Sequence, residues 1–363
     1  MTQTPSRTLD LTRDVALLTA DLMDIESVSG NEKNVADAVE AALRSLPHLQ
    51  VVRDGDSIIA RTSLGRGERV LLAGHLDTVP LPTVEGSRGT VPSSWDGDVL
   101  YGRGATDMKG GVAVQLALAA ELTAPNRDVT YVFYDHEEVE ASLSGLGRLQ
   151  RSYPDWLRAD FAVLLEPTNG TVEGGCNGTM RFHASTAGRA AHSARAWMGE
   201  NAIHAAAEIL TRLRDHTPAT VTVEGLDYRE SLNAVKIWGG TAGNVIPDAA
   251  TVEINYRFAP DKSIEEADAY VRNLLAGFDL VRTDAASGAR PGLDRPAAAS
   301  FVAAVGAEPK PKYGWTDVAR FSELGIPAVN FGPGDALLAH TDNEHVHADA
   351  VRACLAALRS WLS

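Results

Sequence analysis

Apolar residues recur at every third or fourth position along Leu11–Met23. They do so again along Asn31–Leu46, behind Ser29-Gly30, and this spacing predicts two helices. Short strands are predicted next. Ser57–Arg61 is one, and the apolar run Arg69–Ala73 reads as a buried strand. Gly111–Leu122 is apolar and alanine-rich, as a buried helix is. Asp128–Tyr134 is β-branched and aromatic, and Ala159–Leu165 is a further strand. Strands alternating with helices predict an α/β layer fold with a largely parallel sheet.

The pattern changes near residue 176. Strands are predicted at Met180–Thr186, Ala219–Glu224, Leu232–Trp238 and Ala250–Phe258, with helices at Ala202–Leu213 and Ile264–Leu275. Ala285–Pro296 has the composition of a linker. The first pattern then resumes with a strand at Ala328–Phe331 and a closing helix at Ala348–Leu362. The expected organisation is one α/β domain, residues 1–176 and 290–363, interrupted by an inserted module, residues 177–289.

Composition narrows the possible functions. The chain has 363 residues, 44% of them hydrophobic, so a packed core is within reach. Its net charge of −15 argues against a general electrostatic grip on nucleic acid or anionic lipid, and neither is an expected partner. An anionic small substrate remains compatible with local arginines. No apolar run is long enough for a membrane span, and Asp10, Arg13 and Asp14 interrupt any leader-like stretch. Two cysteines are too few for a disulfide framework, which points to a reducing cytoplasm. Disorder is expected only over the first ~8 residues, which are polar and include Pro5.

Candidate chemistry stands where the predicted strands end, the place at which open α/β sheets hold ligands. Arg69–Ala73 runs into Gly74-His75-Leu76-Asp77. Asp128–Tyr134 runs into Asp135-His136-Glu137-Glu138, and Ala159–Leu165 into Glu166-Pro167-Thr168. The strand ending at Phe331 leads to His340 and on to Glu344. Gly102 to Gly111, with Asp107 inside it, opens the alanine-rich helix. Singly, each has an ordinary reading. Asp107 is a plausible helix cap, and Glu137-Glu138 a polar loop. Together, two histidines and at least four carboxylates at one sheet edge would repel each other unless cations compensate them. Nitrogen and oxygen donors without sulfur suit Zn²⁺, Co²⁺ or Mn²⁺. Six candidates exceed one tetrahedral site, so two metals sharing one carboxylate is the economical count. The chain has no H-E-x-x-H, no G-x-S-x-G and no phosphate-binding G-x-x-x-x-G-K-[ST].

Gly-His75-Leu-Asp77-Thr-Val-Pro, Gly-Arg-Gly-Ala-Thr-Asp107-Met-Lys-Gly-Gly, Glu137-Glu138, Glu166-Pro-Thr and His340 resemble, in that order, the co-catalytic zinc amidohydrolases of the aminoacylase and carboxypeptidase type. Further stretches are similar to the actinobacterial form of the branch that hydrolyses N-succinyl-L,L-2,6-diaminopimelate in lysine and cell-wall precursor synthesis. These are Phe-Tyr-Asp-His-Glu-Glu, Ala-His192-Ser-Ala-Arg195-Ala-Trp, Gly-Asn244-Val-Ile-Pro, Asn-Tyr-Arg257-Phe-Ala-Pro and Lys312-Tyr-Gly-Trp-Thr-Asp-Val.

The resemblance implies an α/β fold with a mixed, mostly parallel sheet flanked by helices, of the di-zinc exopeptidase kind, and an inserted α+β lid and dimerisation domain. It implies two divalent metal ions, Zn²⁺ first and Co²⁺ second. His75 would bind one ion with Asp77 fixing its ring. Asp107 would bridge both, Glu166 would complete the ligands of the first ion, and Glu138 and His340 those of the second ion. Glu137 would be the general base, and the peptide after Asp107 would be cis. His192 would reach the active site of a neighbouring subunit in a homodimer and stabilise the oxyanion. A small anionic N-acyl amino acid is the implied substrate, with Arg257, Arg195 and Asn244 as its contacts. For Arg257 the ordinary alternative is a surface salt bridge, and Asn255 departs from the aspartate that relatives often carry there. Two other functions compete. One is deacylation of another substrate, such as N-acetylornithine, or dipeptide hydrolysis. The other is a non-catalytic metal-binding protein, against which the intact Glu137 argues.

Overall fold

The computed structural model describes residues 8–363, so the expectation for the first residues falls almost wholly outside the described ones. The chain divides into two compact units. The first comprises residues up to Gly174, Gly292–Lys310 and Arg320–Ser363, and the second Gly175–Pro291 and Pro311–Ala319.

The first unit is built on a mixed sheet. Its strands lie in the spatial order Gln50–Asp54, Ser57–Arg61, Asp128–Tyr134, Arg69–His75, Phe161–Leu164, Ala328–Asn330, with the short Glu173–Gly174 beyond. The four strands from Asp128–Tyr134 to Ala328–Asn330 run parallel, while the outer pairs are antiparallel. Asp128–Tyr134 is buried at every residue and Arg69–His75 at all but its first, which is why they read as continuous apolar runs rather than as alternation. Val70, Leu72, Val129, Tyr131, Phe133, Phe161 and Val163 share a core with the helices Val15–Met23, Lys33–Arg44, Lys109–Glu121, Pro296–Val305 and Ala348–Leu362.

Arg69–His75 pairs with the later strand Asp128–Tyr134 on one side and the still later Phe161–Leu164 on the other. The strand order therefore reverses at Arg69–His75, and a crevice opens at its carboxyl end. Helix Lys109–Glu121 packs tightly beneath that edge. A methyl group on Gly111 would stand 2.3 Å from the Leu165 carbonyl oxygen, so only glycine fits there.

In the second unit the strands Ser231–Gly239, Ala249–Phe258, Gly178–Ala187 and Asp279–Ala286 form, in that order, an antiparallel sheet. Helices Ala202–Asp215 and Ile264–Leu274 share its core, where Met180, Phe182, Val252, Ile254 and Tyr256 meet Ile209 and Val271. A capping box between Ser263 and Glu266 starts the second helix.

Three details differ from the sequence reading. Thr220–Val223 does not join the sheet but forms a separate hairpin with Leu226–Arg229. Asp279–Ala286 is a strand, overlapping the stretch expected to be linker. Only Leu280 in it is buried, so it carries no apolar alternation, and the ladder to Gly178–Ala187 alone defines it. Residues 311–319 belong to the second unit rather than to the continuous segment 290–363. They are tied there by hydrogen bonds from the Asn177 N–H to the Lys312 carbonyl and from Trp315 Nε1 to the Ser287 carbonyl, long-range pairings with no local signal.

Replacing glycine by alanine inside a helix ordinarily stabilises by roughly 0.5–1 kcal/mol. For Gly111→Ala the sign reverses, because the added carbon meets backbone. The substitution costs about 1–3 kcal/mol, read as a lower thermal midpoint, and a protein more stable than the wild type would contradict this packing.

Candidate metal centre

His75 closes its strand, and its ring is buried with 1% exposure. Asp107 precedes helix Lys109–Glu121, but it does not cap it. Met108 holds the cap position without a side-chain hydrogen bond, and the Asp107–Met108 peptide is cis. The Asp107 carboxylate instead faces two rings. Its Oδ1 lies 3.0 Å from His75 Nε2 and its Oδ2 3.2 Å from His340 Nε2. His340 Nε2 lies 2.9 Å from Glu138 Oε1. The His340 backbone adopts a left-handed conformation, φ 63°, which is uncommon for a residue with a side chain and sets this ring's direction.

Three groups of ligand atoms arise, the atoms of each within 4.8 Å of one another: His75, Asp107 and Glu166; His75, Glu137 and Glu138; and Asp107, Glu138 and His340. The first and third share only Asp107. His75 ends a strand, and the other five residues come from segments that follow strands or open a helix. The donor set is nitrogen and oxygen without sulfur, and it fits two divalent cations on either side of one carboxylate.

The electrostatics of the cluster support that fit. Burial opposes ionisation of Asp107, yet hydrogen bonds to His340 and His75 hold its carboxyl well below the usual range. Hydrogen bonds to Asp107 and then Glu138 push His340 up to about 10. Burial works against a charged His75, and its hydrogen bonds to Asp107 and Asp77 outweigh that, raising it well above an ordinary histidine. The carboxylates thus draw positive charge onto the rings, and metal binding would displace those protons.

Asp77 has a role that its place beside His75 does not reveal. The His75 ring Nδ1 lies 3.0 Å from the Asp77 main-chain oxygen and 3.5 Å from its carboxylate. That carboxylate accepts from the backbone N–H of Glu137 at 3.0 Å and of Glu138 at 3.0 Å, and from Ser29 Oγ at 2.6 Å. Asp77, fully buried, therefore fixes the chain that presents Glu137 and Glu138. Ser29 was not singled out from sequence, since a serine before glycine reads as a turn. His136 turns away from the cluster, its Nδ1 2.8 Å from Asp135 Oδ2.

The remaining candidates lie in the second unit. Ala191–His192 pairs with Val245–Ile246, which puts His192 beside the Asn244 turn, and the Ser193 N–H donates to the Asn244 carbonyl at 2.9 Å. His192, Arg195 and Asn244 are exposed. His192 Nδ1 accepts from the Ala194 N–H at 3.1 Å. Arg257 stands on the sheet face opposite the helices, its Nε donating to Asn255 Oδ1 at 3.1 Å. Burial and then the charge of Arg181 hold its guanidinium below the usual arginine range. Arg181, missed from sequence, is on the same face. The alternation of Met180, Arg181 and Phe182 around it marks it as outward-facing.

A family model described as Peptidase family M20/M25/M40 matches residues 71–363. A protein of Mycobacterium tuberculosis (strain ATCC 25618 / H37Rv), named "Putative succinyl-diaminopimelate desuccinylase DapE", is 52% identical over 357 residues, 98% of this chain and 99% of the relative. The succinyl-diaminopimelate desuccinylase of Corynebacterium glutamicum is 42% identical over 98% of each chain. Among solved structures, a tripeptidase of Staphylococcus aureus is similar in fold, with a TM-score of 0.78 at 20% identity over 98% of each chain. An M20 family metallo-carboxypeptidase of Sulfolobus solfataricus has a TM-score of 0.77 at 16% identity over 96% of this chain and 98% of the other.

The geometry around Asp77 gives a direct test. In Asp77→Ala the amides of Glu137 and Glu138 lose their acceptor, worth ~1–3 kcal/mol for a buried group. Their hydrogens should exchange faster by about tenfold or more. Unchanged exchange at both amides would show that other contacts hold this segment.

Proposed function

The chain belongs to peptidase family M20/M25/M40, and we propose that it hydrolyses the amide of N-succinyl-L,L-2,6-diaminopimelate to succinate and L,L-2,6-diaminopimelate, using two divalent metal ions. The observation that carries the hydrolytic reading is the shared Asp107 carboxylate, with His75 and Glu166 on one side, Glu138 and His340 on the other, and Glu137 adjoining. The substrate reading rests on the two relatives that match over nearly the full length. Zn²⁺, with Co²⁺ as its substitute, suits the donor set. When bound, such ions lower the pKa of water and polarise the amide carbonyl.

The chain's own residues supply the rest. Glu137 accepts a proton from the attacking water and delivers it to the departing nitrogen, so one amide and one water yield a carboxylate and an amine. Asp77 keeps Glu137 in place for both transfers. His192 is proposed to donate to the oxyanion from the second unit of a partner subunit. Its hydrogen bond from Ala194 supports this role. A neutral ring that accepts at Nδ1 carries its proton on Nε2, where it is available to donate. Arg257, Arg195 and Asn244 are proposed to hold substrate carboxylates, with Arg181 adding a second guanidinium near Arg257.

A homodimer through the second unit, which we propose as both lid and dimerisation module, is supported by its edge strand. Among the described residues Ser231–Gly239 pairs on one side only, and it exposes Val235, Ile237 and Trp238 at 45–51%. Ile203 and Leu210 of helix Ala202–Asp215 are exposed as well. A second copy lying along this edge satisfies the strand and covers apolar side chains on both sides of it. The two cysteines are free and buried, which agrees with a reducing cytoplasm.

Purified protein supplied with Zn²⁺ should turn over N-succinyl-L,L-2,6-diaminopimelate in preference to N-acetylornithine and simple dipeptides. A preference for either of the others would overturn the substrate assignment while leaving the hydrolase. In the Glu137→Ala protein metal uptake should persist while activity falls ~10²–10⁴-fold.

The dimer and His192 are tested together by mixing two inactive proteins, Glu137→Ala and His192→Ala. In the heterodimer one site has an intact Glu137 and receives an intact His192 from its partner, so about one site per heterodimer regains activity. Demonstrated subunit exchange without recovery would remove His192 from the neighbour's site.

A further inference from the structure

Arg103 and Glu344 lie 241 residues apart and form a buried ion pair. Arg103 Nη1 is 2.7 Å from Glu344 Oε2, and the two side chains are 3% and 1% exposed. Glu344 follows His340 by four positions, a place from which an acidic residue reads as a metal ligand. It belongs to none of the three ligand groups among the described residues. Its other oxygen, Oε1, accepts from the backbone N–H of Thr106 at 3.0 Å and of Asp107 at 3.1 Å. Its main-chain carbonyl accepts from the Gly102 N–H at 3.1 Å. Arg103 Nη1 also reaches the Thr341 carbonyl at 3.4 Å, and Thr106 Oγ1 donates to the His345 carbonyl at 2.8 Å.

These contacts join the segment that carries Asp107 to the segment that carries His340. The need for such a join follows from geometry. Asp107 must aim one oxygen at His75 and the other at His340. His75 ends a central strand and is held by the sheet, but His340 lies outside any helix or strand, with a left-handed backbone. Side-chain rotation alone cannot serve both directions unless the Asp107 backbone and the His340 segment keep a fixed relation. A buried carboxylate saturated by two amides and a guanidinium supplies that relation, and it is held only while all three partners are present.

We propose that the buried Arg103–Glu344 pair positions the shared carboxylate, locking the Asp107 backbone to the His340 segment so that the half-site of Asp107, Glu138 and His340 is preformed. Both are positioning residues, since neither belongs to a ligand group. The inference rests on the two-cation reading of this centre.

The test is stepwise titration of metal-free protein with Co²⁺, following the visible absorption of each equivalent together with the melting temperature. Glu344→Gln keeps the side chain's length and one oxygen for the amides but removes the charge that Arg103 faces. The wild type should take up two equivalents. In the variant the first should bind as in the wild type, while the second binds about 10–100-fold more weakly, with altered absorption. A purely structural role would lower the melting temperature and leave the stepwise affinities alone. Two equivalents bound as in the wild type would therefore overturn the proposal. If Glu344→Gln does not fold, Arg103→Lys takes its place, because it keeps the charge but not the guanidinium's reach to both Glu344 and Thr341. A weakened second equivalent then supports the proposal, and an unchanged one overturns it. A wild type that takes up fewer than two equivalents removes the two-cation reading itself, and this inference with it.

Discussion

Negative charge gathered at a buried sheet edge is the constraint on which the first unit depends. Asp77, Asp107, Glu137, Glu138 and Glu166 converge there with the imidazoles of His75 and His340 among them. Carboxylates at such distances in a poorly solvated place repel strongly unless each is compensated. The structure compensates them in two ways. Asp77 and Glu344 are satisfied by backbone N–H groups, with a serine in one case and a guanidinium in the other. Asp107 and Glu138 are matched by the rings of His75 and His340, whose affinity for protons is raised accordingly. The first kind of carboxylate builds the frame, and the second is left to attract cations.

This division explains how a rigid sheet serves a centre assembled from distant segments. The parallel strands deliver His75, Glu137, Glu138 and Glu166 from their carboxyl ends at the point where strand order reverses. Gly111 lets helix Lys109–Glu121 close against Leu165, one residue before Glu166. Asp107 enters from the start of that helix and His340 from a segment after the last parallel strand, and Glu344 joins the two segments. The second unit has a separate task. One face of its sheet is a core and the other carries Arg181 and Arg257, while its loops present His192, Arg195 and Asn244, so the residues proposed for substrate recognition stand apart in sequence from those proposed for the metals.

Much of this was legible in the sequence because the relevant signals are local. Histidine or carboxylate directly after a buried apolar run marks a strand end, and that signal places His75, Glu137, Glu138 and Glu166 among the candidates. Asp107 had two local readings, and a local signal could not choose between a helix cap and a shared ligand. The structure removes the cap, since Met108 holds that position, and the contacts of the Asp107 oxygens with two histidines support the proposed sharing. What stayed hidden depends on long-range pairing. Asp279–Ala286 lacks apolar alternation because it packs little and is held by its neighbour's ladder. Residues 311–319 gave no sign of belonging to the second unit, since they attach to partners far away in sequence, through the Lys312 carbonyl and the Trp315 ring N–H. The work of Glu344 and the second role of Asp77 lie in contacts to backbone amides, which leave no trace in residue type or spacing.

The central claim is that one carboxylate, that of Asp107, is shared by two bound cations. X-ray diffraction from crystals of the Zn²⁺-loaded protein, with anomalous data on both sides of the zinc absorption edge, tests it most directly. The account predicts two anomalous peaks flanking Asp107, one against His75 and Glu166 and the other against Glu138 and His340. A single peak, or two peaks with Asp107 touching only one, would contradict it.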